Sequence, residues 1–132
     1  MSKLIYNPKL EVKKSSIHGY GVFASEDIKQ GEILEECHFM SIPYDHNIVN
    51  NLPEIKNILN FPFLFPINNP TELAWPFGNG CIYNSSRNNN ADWTTDSDRR
   101  LFIYKAIKDI KKGEEICTNY QNNLDWCDKN IP

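Results

Sequence analysis

From Leu10 to Lys13 the chain alternates apolar and charged side chains, the period-two pattern of a strand with one face buried. Short apolar runs at 21–24 and 32–39, joined by a Lys29-Gln30-Gly31 turn, predict two further strands. Sheet is expected to resume at Cys81-Ile82-Tyr83 and over Leu101–Ala106, where β-branched and aromatic residues gather. Residues 42–80 read differently, being rich in Asn and carrying proline at 43, 53, 62, 66, 70 and 76. Proline cannot donate to a ladder, so this stretch is expected to interrupt the sheet as an insertion between two β regions. One short helix is predicted from Pro53 to about Leu59, with the proline in the first turn, where its missing N–H costs nothing.

The chain also echoes itself. Ala24, Asp27, Ile28, Lys29, Gly31 and Glu32 recur as Ala106, Asp109, Ile110, Lys111, Gly113 and Glu114, each pair 82 positions apart. Each copy reads as a strand end, a tight turn needing glycine, and another strand. Two copies are too few to stack as a solenoid and predict paired β-hairpins instead. Good turn chemistry used twice would explain the echo equally well.

Composition narrows the partners more than the fold. With 132 residues, 40% hydrophobic and 23% charged, the chain is expected to form one globular domain spanning 1–132. A net charge of −3 argues against direct nucleic-acid binding and suits a basic protein or peptide partner. No apolar run nears the roughly 20 residues of a membrane helix. Met1 to Tyr6 shows no signal-peptide core, so a cytoplasmic setting and no membrane partner are expected. Cys37, Cys81, Cys117 and Cys127 show no C-x-x-C spacing, and His18, His38 and His46 complete no ligand set. Buried thiols, with no metal, are the expectation.

Three separated pieces carry the chemistry: Gly19-Tyr20-Gly21-Val22-Phe23-Ala24; Ile82-Tyr83-Asn84-Ser85-Ser86 with Asn90-Ala91 behind it; and Gly113-Glu114-Glu115-Ile116 running to Tyr120. Glycines let backbone groups approach a ligand closely, and Asn84 offers both a donor and an acceptor. Taken singly, the glycines fit a β-bulge, Asn84 a turn and Tyr120 an edge-strand aromatic. In this order the pieces resemble the SET domain of protein-lysine methyltransferases, in its minimal viral and bacterial form, over about Val12 to Tyr120. The resemblance implies a mainly β fold, the β-clip of small sheets, with a C-terminal pseudoknot and a short helical insert at about 42–80. It implies S-adenosylmethionine as cofactor and the side-chain amine of a protein lysine as methyl acceptor. By the same resemblance Tyr120 is catalytic, and His18, Gly19, Tyr20, Gly21, Asn84, Ser85 and Trp126 bind the cofactor. Tyr83, Trp93 and Thr118 would then line the substrate channel. Trp126 would cover the adenine, or else pack on a helix face, since the zinc-binding cysteines that follow many SET cores are missing. A histone tail is the implied substrate for a viral chain in a eukaryotic host, acting in that host's cytoplasm or nucleus, with a homodimer as a further assembly. The chain departs from the family at Ser85, where a histidine is usual, and at Asn89, where a proline is usual. A SET-like module that binds peptide or cofactor without turnover is the rival reading, followed by an unrelated β-rich interaction domain.

Overall fold

In the computed structural model, which describes residues 3–43, 63–67 and 71–119, every regular element is a strand. The strands are Leu10–Lys14 (β1), Tyr20–Ala24 (β2), Ile33–Cys37 (β3), Phe39–Pro43 (β4) and Phe63–Phe65 (β5). They continue with Glu72–Pro76 (β6), Asn84–Ser85 (β7), Ala91–Asp96 (β8), Leu101–Ala106 (β9) and Glu115–Thr118 (β10). Three small sheets result, ordered β1-β2-β10-β7, β3-β9-β8 and β4-β6-β5. All pairings are antiparallel except β10 with β7, so the last strand lies between an early strand and a late one. This is the mainly β fold of small sheets that the motif pattern implied. The helix expected from Pro53 to Leu59 lies outside the described residues.

The internal echo is a reciprocal clasp. Ile28 and Ile110 exchange both backbone hydrogen bonds at 2.7 Å. Gly31 N donates to Ala106 O at 2.8 Å, and its counterpart Gly113 N donates to Ala24 O at 2.7 Å. Ala106 N reaches Glu32 O and Ala24 N reaches Glu114 O, both at 3.0 Å. The side chains follow the same exchange: Asp109 accepts from Gln30 N and Asp27 from Lys112 N, each at 2.8 Å. Gly31 and Gly113 adopt φ of 92° and 90°, a region that favours glycine. The expected paired hairpins are therefore corrected. Each turn joins strands of different sheets, and each is completed by the other turn. Ile28 and Ile110 are both 1% exposed, so the clasp is sealed by apolar burial at its centre.

Around Phe102, itself fully buried, the aromatic core gathers rings from two of the three sheets. Phe39, Phe63, Phe65 and Trp93 lie with centroids 5.3, 5.6, 5.8 and 5.2 Å away. Phe63 and Phe65 come from the proline-rich stretch, which was expected to interrupt the sheet and instead contributes two strands. The prolines permit this by position: Pro43 and Pro76 end β4 and β6, and Pro66 follows β5, so no strand interior loses a donor. The β8–β9 turn ties down two carboxylates, Glu36 in β3 of its own sheet and Glu72 in β6 of the next. Arg99 makes a bidentate pair with Glu36 at 2.9 and 3.0 Å, and Arg100 another with Glu72 at 3.0 and 2.8 Å. The Arg100 guanidinium also lies 5.0 and 5.2 Å from the Phe39 and Phe65 rings.

Asp27→Ala and Asp109→Ala each remove one acceptor from a turn amide of the opposite copy. Each should cost about 0.5–1.5 kcal/mol, with the two losses alike, as measured by urea unfolding. A loss confined to one site would contradict the symmetry. The Arg99 hydrogen bonds, opposed by desolvation, hold the Glu36 carboxyl below the ordinary glutamate range. A folded value below the unfolded one means this stability is present above the ordinary range and lost as pH falls through the folded value. Glu36→Gln should therefore be less stable at neutral pH and lose less on acidification, which unfolding midpoints measured from about pH 7 to pH 3 would check.

Candidate active site

The β2–β10–β7 neighbourhood brings the three motif pieces together. In β10, Glu115 and Ile116 pair with Phe23 and Val22, while Cys117 and Thr118 pair with Asn84 and Ser85. Two strands from the second half of the chain, β10 and β7, thus deliver Glu115 and Asn84 to the glycines at 19 and 21. Asn84 Nδ2 donates to Glu115 Oε2 at 2.7 Å, His18 O at 3.0 Å and Tyr20 O at 3.3 Å. The other Glu115 oxygen accepts from Ser15 Oγ at 2.6 Å. Ser15 Oγ in turn accepts from Ile17 N at 2.9 Å, and Ser15 N donates to Gly19 O at 2.8 Å, closing the loop that leads into β2.

The two glycines serve different ends. A Cβ at Gly21 would collide with the Glu115 carboxylate and sit 3.0 Å from Asn84 Nδ2, so Gly21 makes room for this cluster. Gly19 has open space around it but adopts φ of 46°. Its glycine answers a backbone need and leaves that side of the loop uncovered. Tyr20 between them is 67% exposed, and His18 is exposed as well, so both enter the cluster through their carbonyls.

Asn90 acts where the motif pattern showed only its presence. Its Oδ1 accepts from Cys117 N and its Nδ2 donates to Glu115 O, both at 2.9 Å, so a side-chain amide pairs with β10 as a strand backbone would. Ser15, Asn90 and the Glu115 carboxylate were not singled out as site residues by sequence reasoning. Glu115 and Asn90 stood within the quoted motifs, but only the fold shows what they touch.

Of the residues assigned to a substrate channel, Tyr83 is 1% exposed and stacks on Tyr104 at 4.7 Å. Its hydroxyl donates to buried Glu35 at 2.6 Å. Burial, and then the Glu35 charge, hold the Tyr83 phenol well above its ordinary range. Glu35 also accepts from Asn79 N at 3.2 Å and Cys37 Sγ at 3.4 Å, which anchors the 77–83 turn that leads into β7. Trp93 is buried against Phe63, the rings perpendicular with centroids 5.2 Å apart. Its Nε1, and Oγ1 of Thr118, are buried without a hydrogen-bond partner among the described residues. Ser85 is buried in β7, in register with Thr118. Tyr120 and Trp126 lie outside the described residues. Cys37 and Cys117 are buried thiols, as expected, whereas Cys81 is exposed. Burial, and then Glu115, push the Cys117 thiol up to about 11.

Comparison with known proteins agrees with the fold. Residues 19–121 match the SET domain model. The chain is 23% identical over 115 residues to a Schizosaccharomyces pombe histone-lysine N-methyltransferase specific for H3 lysine-37, covering 87% of this chain and 75% of that protein. It is 28% identical over 128 residues to the Arabidopsis thaliana histone-lysine N-methyltransferase MEDEA, covering 91% of this chain but 18% of that one. Among solved structures, one from Plasmodium falciparum, described as a candidate histone methyltransferase, superposes with TM-score 0.65 at 30% identity, covering 86% and 94% of the two chains. A humanized mutant of the Chaetomium thermophilum Polycomb Repressive Complex 2, bound to the inhibitor GSK126, gives TM-score 0.66 at 26% identity, covering 88% and 15%. The chain belongs to the SET-domain family.

The crowding at Gly21 yields a test. Gly21→Ala should lower stability by about 1–3 kcal/mol, the usual range for overpacking. Adding Glu115→Ala should return part of that loss, because the collision partner is gone. Losses that simply add in the unfolding double-mutant cycle would show that the two sites do not touch.

Proposed function

We propose that this chain transfers a methyl group from S-adenosylmethionine to the side-chain amine of a lysine in a basic protein. Protein-lysine methyl transfer is the activity of the class into which its family and relatives place it. The observation that carries the cofactor reading is the acceptor cluster at Asn84. Three oxygens, from His18, Tyr20 and Glu115, lie within 3.3 Å of one nitrogen. Such a concentration of acceptors suits the ammonium at the amino-acid end of this cofactor. The uncovered side of Gly19 leaves room for a ligand beside the cluster. Thr118 Oγ1 and Trp93 Nε1, buried with no partner among the described residues, support an occupied channel, since buried polar groups nearly always have partners.

His18, Tyr20 and Asn84 would hold the amino end, with Ser85 contributing through its backbone. When bound, the cofactor supplies an electrophilic methyl group on a positively charged sulfur. The chain's own task is to hold a neutral amine in line with it. A lysine of reference pKa about 10.4 costs about 4.6 kcal/mol to deprotonate at pH 7, and a dry channel lined by Trp93 would reduce that cost. Alignment at close range supplies much of the remaining acceleration. Tyr120, assigned from its motif, would orient the reacting groups with its phenol. Relatives named as histone-lysine methyltransferases support a histone-like basic tail as substrate, met in the cytoplasm or in a host nucleus.

Calorimetric titration with S-adenosylmethionine should give roughly micromolar binding. Mass spectrometry of a core histone mixture incubated with enzyme and methyl-labelled cofactor should show labelled lysine. Binding without transfer to any basic protein would leave only a cofactor-binding module, and absence of binding would end the reading. Tyr120→Phe should lower turnover by a factor on the order of 10² or more with little change in cofactor affinity. Near-normal turnover would remove Tyr120 from the catalytic role.

A further inference from the structure

We infer that Glu115 is a positioning residue that fixes the orientation of the Asn84 amide and thereby presents its carbonyl oxygen to the cofactor's amino group. The inference rests on the proposed cofactor reading for its consequence, though not for its geometry. A carboxylate accepts hydrogen bonds and donates none. With Glu115 Oε2 at 2.7 Å from the Asn84 amide, only Nδ2 can face it, because a reversed amide would set two acceptor oxygens against each other. The carbonyls of His18 and Tyr20, at 3.0 and 3.3 Å, enforce the same choice. Every hydrogen bond of the Asn84 side chain among the described residues runs through Nδ2, which leaves Oδ1 as the branch available to an incoming donor.

Glu115 is itself held. Ser15 Oγ donates to its second oxygen at 2.6 Å, and Ser15 closes the loop preceding β2. Gly21 carries no side chain where the carboxylate lies, so the carboxylate rests against backbone. Ser15, Glu115 and Asn84 thus form a relay across three segments, in which Ser15 sets the carboxylate and the carboxylate sets the amide. Without it only the longer contacts to the His18 and Tyr20 carbonyls oppose a turned amide, which would offer its NH₂ group to an ammonium.

The test compares Glu115→Ala, Glu115→Gln and Ser15→Ala in the full chain, with two readouts. The first is the ¹⁵N NMR signal of the Asn84 side-chain amide, assigned by its loss in Asn84→Ala, and its hydrogen exchange. The second is calorimetric titration with S-adenosylmethionine. Gln retains an acceptor for Asn84 Nδ2 while removing the charge. Glu115→Gln should therefore keep the Asn84 amide protected and the affinity within about threefold of the parent. Glu115→Ala should reduce the protection, leaving only the longer bonds to the His18 and Tyr20 carbonyls, and weaken binding roughly tenfold, the scale of one lost hydrogen bond to a charged group. Ser15→Ala should fall between the two. An Asn84 amide unchanged in Glu115→Ala overturns the proposal. So does a Glu115→Gln variant that binds as weakly as Glu115→Ala while its amide stays protected, because the charge would then act on the ligand directly. If Glu115→Ala does not fold, Glu115→Gln and Ser15→Ala still decide both readouts. If the parent binds no cofactor, the proposed function fails on its own, and the amide signal still decides whether Glu115 sets Asn84.

Discussion

The reciprocal clasp between residues 24–32 and 106–114 is the constraint from which the site follows. Its outer hydrogen bonds continue directly into two sheets. Ala24 with Glu114 leads into the β2–β10 pairs, and Ala106 with Glu32 leads into the β3–β9 pairs. The clasp therefore sets the register of both. In a sheet, a slip of one residue turns every side chain to the other face. Such a slip in β10 would carry Glu115 away from Gly21 and Asn84 and would expose Ile116, which is now fully buried. The Glu115–Asn84 contact thus depends on turns that make no part of the site.

A second support comes from the opposite side. Glu35, 1% exposed, has no cation partner among the described residues and is satisfied by the Tyr83 hydroxyl, the Asn79 amide and the Cys37 thiol. Gly78, at φ 66°, lies where any side chain would press on that carboxylate, at 2.7 Å from Oε2. A buried carboxylate is tolerable when its oxygens are bonded and costly when they are not, so the 77–83 turn has little freedom. Asn84 follows at once. Its backbone is fixed from the Glu35 side and its amide from the Glu115 side.

The sequence made the echo and the three motif pieces legible because both depend on local identity and spacing. The bounds of Leu101–Ala106 are legible because β-branched and aromatic residues fill a strand whose Phe102, Tyr104 and Ala106 face is fully buried. β8 was not seen: Ala91-Asp-Trp-Thr-Thr-Asp96 mixes burial and exposure without clean alternation. The third sheet was missed because prolines were counted by frequency, whereas their positions at strand ends decide their effect. That each turn is completed by its distant copy also could not be read locally. Neither could the Ser15–Glu115 contact, which spans 100 residues and depends on the register of β10.

The departure from the family pattern at Ser85 is understandable on this frame. Ser85 is buried in β7 and pairs with Thr118, while the next residue, Ser86, donates its N–H to Thr118 O at 2.8 Å. Those contacts are made by backbone and survive any side chain that fits. Asn84 and Asn90 make polar contacts across the motif, one reaching the β2 entry and Glu115, the other holding the backbone of β10. The β7–β10 pairing therefore tolerates serine at 85, because the clasp sets the register of β10 and Asn90 holds its backbone.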